Sequence, residues 1–181
     1  MARYAAFLRG VNLGPRRRAS SADLRTAFED FGFTDVATFR SSGNVVFEAG
    51  RAAAPALARR IEQRLEESLG FDVTVFLRAA SEVRAIVAHE PFEPGRVEAA
   101  QGKLQVVLLG AKPGAAARRE VLAAAGDEDR LAFGARELYW LPSGGIRDSR
   151  LDFAAIEQRI GPTTTRTKGT IGELARKFFG A

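Results

Sequence analysis

Val36-Ala37-Thr38-Phe39-Arg40-Ser41-Ser42-Gly43-Asn44-Val45-Val46-Phe47 reads as two short strands about a tight turn. Val36–Phe39 and Asn44–Phe47 supply the β-branched and aromatic residues, and Ser41-Ser42-Gly43 is the turn signal between them. Outward from this pair, Ser20–Phe31 carries helical spacing on one side and Ala54–Leu69 on the other. Beyond the helices lie an apolar run, Tyr4–Leu8, and an alternating stretch, Phe71–Leu77. The order is β-α-β-β-α-β, that of a ferredoxin-like unit. Such folds host many unrelated activities, so function has to be argued from sites.

Local chemistry supports each element. Ser20 or Ser21 serves as N-cap of the first helix, with Asp23 in its first turn. Leu24, Ala27, Phe28 and Phe31 form its buried stripe, and Gly32 ends it. The second helix buries Leu57, Ile61, Leu65 and Leu69 and stops at Gly70. Tyr4–Leu8 is apolar at consecutive positions, as a strand buried on both faces would be. A ferredoxin-like sheet covers one face with its own helices, and the second half of the chain is the economical cover for the other. Ser81 is expected to cap a short helix ending near His89, and Glu90–Gly95, with two prolines, is the expected linker.

After the linker, Leu104–Leu109 reads as a strand and Ala115–Ala125 as a helix. Arg130–Phe133 and Glu137–Leu141 read as a hairpin around Gly134, with helices at Leu151–Ile160 and Ile171–Phe179. The second half is thus β-α-β-β-α with a terminal helix, a divergent echo of the first. The expected class is α+β: two ferredoxin-like halves packed together, residues 1–79 and 80–181.

Composition excludes several chemistries. The 181 residues contain no cysteine, which removes disulfides, thiolate nucleophiles and cysteine-based metal sites. One histidine, His89, excludes any mechanism or metal site needing two from one chain. No run approaches the roughly 20 apolar residues that cross a membrane, and Arg9 ends the first apolar run too early for a signal peptide. A cytoplasmic address is the expectation, with no membrane partner, no metal and no cofactor. The net charge is +5, and arginine supplies it: the only lysines are Lys103, Lys112, Lys168 and Lys177. Codon bias toward arginine accounts for the composition but not for where particular arginines sit.

Three stretches could carry chemistry. Leu8-Arg9-Gly10-Val11-Asn12-Leu13-Gly14, followed by Pro15-Arg16-Arg17-Arg18, has glycines for close backbone approach ahead of a helix N-terminus, a combination that favours anions. It matches neither standard nucleotide loop, and Arg16–Arg18 also read as a solvated basic run. Arg40–Phe47 resembles an RNA-recognition signature at Arg40, Gly43, Val45 and Phe47. However, Ser42 and Asn44 replace the two stacking aromatics, which argues against base stacking. Arg40, Ser42 and Asn44 remain candidates for a polar site, or serve the turn itself. Pro162–Thr170, dense in hydroxyls and containing Thr165, Arg166 and Lys168, reads as a polar loop into a helix capped by Thr170.

Taken together, Phe7–Gly14, Ser42–Phe47 and Thr164-Thr165-Arg166 resemble a bacterial family known as domain of unknown function 1697. The resemblance spans essentially the whole chain and implies an α+β fold of ferredoxin-like subunits in a small cytoplasmic protein. It implies no activity. After Thr-Thr-Arg the family commonly continues Asn-Trp-x-Thr-Val, whereas Thr167-Lys168-Gly169-Thr170-Ile171 stands here.

The resulting expectation is an arginine-lined cleft for an anionic small ligand bearing phosphate or carboxylate. Arg9, Arg40 and Arg166 would anchor it, helped by Gly10, Asn12, Ser42, Gly43, Asn44 and Thr165. One alternative is a metal-independent enzyme acting on a phosphorylated or carboxylated metabolite. A second is nucleic-acid binding through phosphates without base readout. A third is an interaction module whose arginines only make ion pairs.

Overall fold

The computed structural model describes every residue except 41, 42, 51, 101–103, 127, 128, 143, 145, 147, 148 and 181. Ser42 and Ser41 therefore lie outside the described residues. Two compact units are present: Met1–Arg84 with Leu174–Gly180, and Ala85–Glu173.

In the first unit, β1 (Ala2–Arg9), α1 (Ser21–Asp30), β2 (Thr34–Thr38), β3 (Asn44–Ala49), α2 (Ala54–Leu69) and β4 (Thr74–Ala79) follow in the expected order. The sheet runs β2-β3-β1-β4 with every pair antiparallel. α1 begins with a capping box: Asp23 N–H donates to Ser20 Oγ at 3.1 Å, and Ser20 N–H to Asp23 Oδ2 at 2.8 Å. α2 ends at Gly70, left-handed at φ 76°.

The helix-facing side of the sheet carries Tyr4, Ala6, Leu8, Val45, Phe47, Val75 and Leu77. These pack on Leu24, Ala27 and Phe28 of α1 and on Leu57, Ile61 and Leu65 of α2. Phe47 is the aromatic centre, with Phe28 and Phe33 rings at 5.2 and 4.5 Å. The valine, leucine, isoleucine and phenylalanine side chains among them, fully buried, contribute about 1.5–3 kcal/mol each. On the opposite face Ala5, Phe7, Val46 and Phe76 are buried too, as is Arg78 at 0% exposure. The double burial of β1 expected from its apolar run is present.

The second unit contains α3 (Ala80–Ala88), which starts in the first unit, then α4 (Pro94–Ala99), β5 (Gln105–Leu109) and α5 (Ala115–Ala123). β6 (Asp129–Phe133), β7 (Glu137–Pro142), α6 (Phe153–Ile160) and β8 (Thr163–Thr167) complete it. Its sheet runs β6-β7-β5-β8, again antiparallel. Val107, Leu109, Leu138 and Trp140 pack on Val121 of α5 and Ile156 of α6. The final helix, α7 (Lys168–Phe178), starts in this unit and ends in the first.

Four local readings need correction. Pro162–Thr167 is not a loop into a helix but holds β8, paired with β5 from Thr163↔Leu109 to Thr167↔Gln105. The second unit thereby repeats the full β-α-β-β-α-β order. Thr170 does not cap α7: its N–H donates to Thr167 Oγ1 at 3.1 Å, so Thr167 is the capping residue. Ser81 is likewise inside α3, which continues directly from β4; the Ala79 N–H is taken by Glu82 Oε2 at 2.9 Å. Glu90–Gly95 is only partly linker, since Pro94 opens α4 from its first turn.

Both units fasten the start of their last strand with the same device. Val75 N–H of β4 donates to Glu62 Oε1 of α2 at 2.9 Å, and Thr163 N–H of β8 donates to Glu157 Oε1 of α6 at 3.0 Å.

Candidate functional site

The loop between β1 and α1 and the turn between β2 and β3 meet at a contact only glycine permits. Gly43 is left-handed at φ 69°, and a Cβ there would lie 2.6 Å from Val11 Cγ2 and 3.2 Å from Leu8 Cβ. The contact is sealed by Leu8 N–H donating to Gly43 O at 2.8 Å. Gly10 is also left-handed, with Asp72 O 3.0 Å from where its Cβ would be. These two glycines are explained by packing.

Asparagines fasten each side. Asn44, 1% exposed, donates Nδ2–H to Phe39 O at 2.9 Å, and Phe39 N–H donates to Asn44 O at 2.9 Å. Asn12 Oδ1 accepts from Ala19 N–H at 3.2 Å, folding the loop onto the start of α1. The basic run splits here. Arg17 pairs with Asp72, Nη2 to Oδ1 at 2.6 Å, and lies against the Phe71 ring. Arg16 and Arg18 are exposed.

What these contacts enclose is a cleft of about 610 Å³ within the first unit. Asn12, Arg18, Ser20, Asp23, Arg40 and Asn44 line it, together with Gly43 and Ser21 at the start of α1. Arg40 is held left-handed at φ 57°, unusual for a residue with a long side chain. Its guanidinium sits 5.6 Å from the centre of the Phe39 ring. Asn12, at φ 60°, is a second left-handed non-glycine residue among those lining the cleft. The capping box uses the N–H groups of Ser20 and Asp23, and those of Ser21 and Ala22 belong to the same first turn. Hydrogen bonds from the Ser20 backbone and then its side chain hold the Asp23 carboxyl below the usual carboxylate range.

Of the residues expected at a site, Asn12, Arg40, Gly43 and Asn44 are brought together. Arg9, the last residue of β1, and Gly10 are not among the lining residues. Arg18, read from sequence as part of a basic run, and Ser20, read as a helix cap, also line the cleft, as does Thr38. Thr165 and Arg166 are on β8 in the second unit, and successive strand residues point to opposite faces. Thr165 lines a different cavity. Arg166 donates through Nη1 to Thr164 Oγ1 at 2.9 Å and to Thr165 O at 2.8 Å. Burial pushes its guanidinium down to about 10. Among the described residues no helix is long and apolar enough to cross a membrane.

The whole chain superposes on the conserved bacterial protein SP0830 from Streptococcus pneumoniae, with a TM-score of 0.74 at 16% identity. The match covers 100% of this chain and 99% of that one, a likeness of fold. No curated protein matches the chain. The family model described as "Protein of unknown function (DUF1697)" matches residues 1–139, the stretch holding the glycine contact and the cleft, and the chain belongs to that family.

Proposed function

We propose that the cleft beside α1 binds a small anion, a phosphate- or carboxylate-bearing molecule, in the cytoplasm. The carrying observation is that Arg18 and Arg40 line one cleft into which the first turn of α1 opens. Two guanidinium groups and helix N–H donors are complementary to an oxyanion. Arg40 supports the reading further. A left-handed arginine costs about 1–3 kcal/mol of backbone strain, and such strain clusters at functional sites.

The same cleft contains one carboxylate, Asp23, which bears on the enzyme alternative. A general base works best with a pKa near the operating pH. Asp23 is held in the opposite direction by its capping bonds, so it serves the helix start better than proton transfer. Binding without catalysis is therefore preferred. Against the nucleic-acid alternative, Arg17 is engaged with Asp72, leaving a less continuous basic surface.

The test is a thermal-shift panel at low salt with sugar phosphates, nucleotides, carboxylic acids and short single-stranded RNA. A small anion should stabilise the protein, by about 2.7 kcal/mol at a hundred times its Kd. Arg40→Ala and Arg18→Ala should each weaken binding roughly 10–100-fold, the equivalent of about 1.4–2.8 kcal/mol. Stabilisation that survives both substitutions would overturn the assignment. A response confined to RNA and abolished by salt would favour the phosphate-backbone reading.

A further inference from the structure

Arg17 and Arg18 are adjacent in the loop between β1 and α1, and the fold sends them to different places. Arg17 turns toward the start of β4. Its Nη2 donates to Asp72 Oδ1 at 2.6 Å and its Nη1 to Asp72 O at 3.4 Å. Its guanidinium carbon stands 5.9 Å from the centre of the Phe71 ring. Asp72 lies two residues ahead of β4, so a segment 55 residues further along the chain holds the loop. Gly10 leaves room for this grip: a Cβ there would stand 3.0 Å from Asp72 O and 3.5 Å from Arg17 Nη1. Arg18 lines the cleft instead, and neither Arg17 nor Asp72 is among the described lining residues.

The main chain is fastened on both sides of Arg18. Before it, the Arg17 carbonyl accepts from Asn12 N–H at 2.5 Å. After it, Ala19 is 3% exposed in the core of the first unit, and its N–H donates to Asn12 Oδ1 at 3.2 Å. Without Asp72, residues 13–17 would be tied down through Asn12 alone. A loop that must be ordered on binding loses affinity, and one ordered beforehand does not.

We infer that Asp72 is a positioning residue for anion binding: by holding Arg17 it orders the loop and keeps Arg18 in the cleft. The inference rests on the anion reading of that cleft. It also opposes what charge alone dictates. Removing a carboxylate from this unit raises the positive potential and releases a second guanidinium, and both effects favour an anion. Loss of positioning has the opposite sign. Asn12 lines the cleft itself, so Asp72 is the fastening whose effect reaches a ligand through the loop.

The test titrates inorganic phosphate into the full chain at constant low ionic strength and reads the dissociation constant from the rise in melting temperature. The Asp72 side chain is 74% exposed, so truncating it leaves no cavity, and melting without phosphate gives each variant's baseline. Asp72→Ala should weaken binding roughly two- to fivefold, the range of an exposed ion pair. Asp72→Glu, which keeps a carboxylate within reach of Arg17, should recover part of that loss. In an Arg17→Ala background, Asp72→Ala should cause no further weakening. If phosphate does not stabilise the parent, or Arg18→Ala binds it as the parent does, the anion reading falls and this inference with it. If Arg18→Ala weakens binding while Asp72→Ala leaves it unchanged or tightens it, the cleft reading stands and the positioning role is overturned. A loss in Asp72→Ala that persists without Arg17 would overturn it too.

Discussion

Replacing Gly43 by alanine tests the contact on which the first cleft is built. Two costs add at this position. A non-glycine residue in the left-handed region costs about 1–2 kcal/mol. The new Cβ would also stand 2.6 Å from Val11 Cγ2 and 3.2 Å from Leu8 Cβ. Val11 is short and β-branched, so it cannot swing aside cheaply. Leu8 Cβ is tied directly to the backbone of a central strand. Forced overpacking of this kind costs typically about 1–3 kcal/mol. The expected loss is therefore about 2–5 kcal/mol, the two ranges summed. Gly32→Ala is the control, because Gly32 is also left-handed at φ 82° but has nothing within 4 Å of a Cβ. It should lose the conformational part alone. Urea unfolding followed by far-ultraviolet circular dichroism reads the difference. With a slope near 2–3 kcal/mol per molar, the Gly43→Ala midpoint should fall by roughly 1–2 M. Tryptophan emission, followed in the same samples, reports the second unit and checks that one transition is being read. Val11→Ala in the Gly43→Ala background should recover about 1 kcal/mol or more beyond additivity. If Gly43→Ala costs no more than Gly32→Ala, or if the pair is additive, the close approach is not what holds the loop to the turn.

Glu62→Ala removes the acceptor of the Val75 N–H and should destabilise by about 1–3 kcal/mol, whereas Glu62→Gln, which keeps an acceptor oxygen, should lose less; urea midpoints distinguish them. Asp23 titrates below its ordinary value because the Ser20 bonds favour its charged form. Its contribution is fully present above the unfolded value of 3.8 and is lost as pH falls through the lower folded value. Melting temperatures of Asp23→Asn and the parent should therefore converge as the pH falls below the folded value, and a gap that persists in acid would contradict the capping role.

The first unit was legible because local signals agreed with its topology. Ser20 with Asp23, Gly70, and the turn before Asn44 each mark an element end within four residues. β8 was misread for a physical reason. Thr163–Thr167 contains no apolar side chain, so hydrophobic period is silent, and its β-branched composition was the remaining signal. Pairing with β5 buries Thr163 and Thr164 all the same. The hydroxyl density that suggested an anion site is partly strand and partly the Thr167 cap. The cleft was half legible: Asn12, Arg40, Gly43 and Asn44 stand in the two quoted motifs. Arg18 was not, because Arg16, Arg17 and Arg18 are equivalent in sequence until Asp72, 55 residues from Arg17, captures one of them.

The glutamates that accept the last-strand amides also constrain how this protein can meet others. Two four-stranded open sheets present four edges, at β2, β4, β6 and β8. Glu62 occupies an outward amide of β4 and Glu157 one of β8. β2 is interrupted by a register shift between Thr34 and Ala37, with Asp35 left-handed at φ 49°. A peptide seeking to extend either sheet would have to displace a carboxylate or cross an irregular ribbon at three of the four borders. At those positions an added strand would find the backbone donor already used or the ladder out of register.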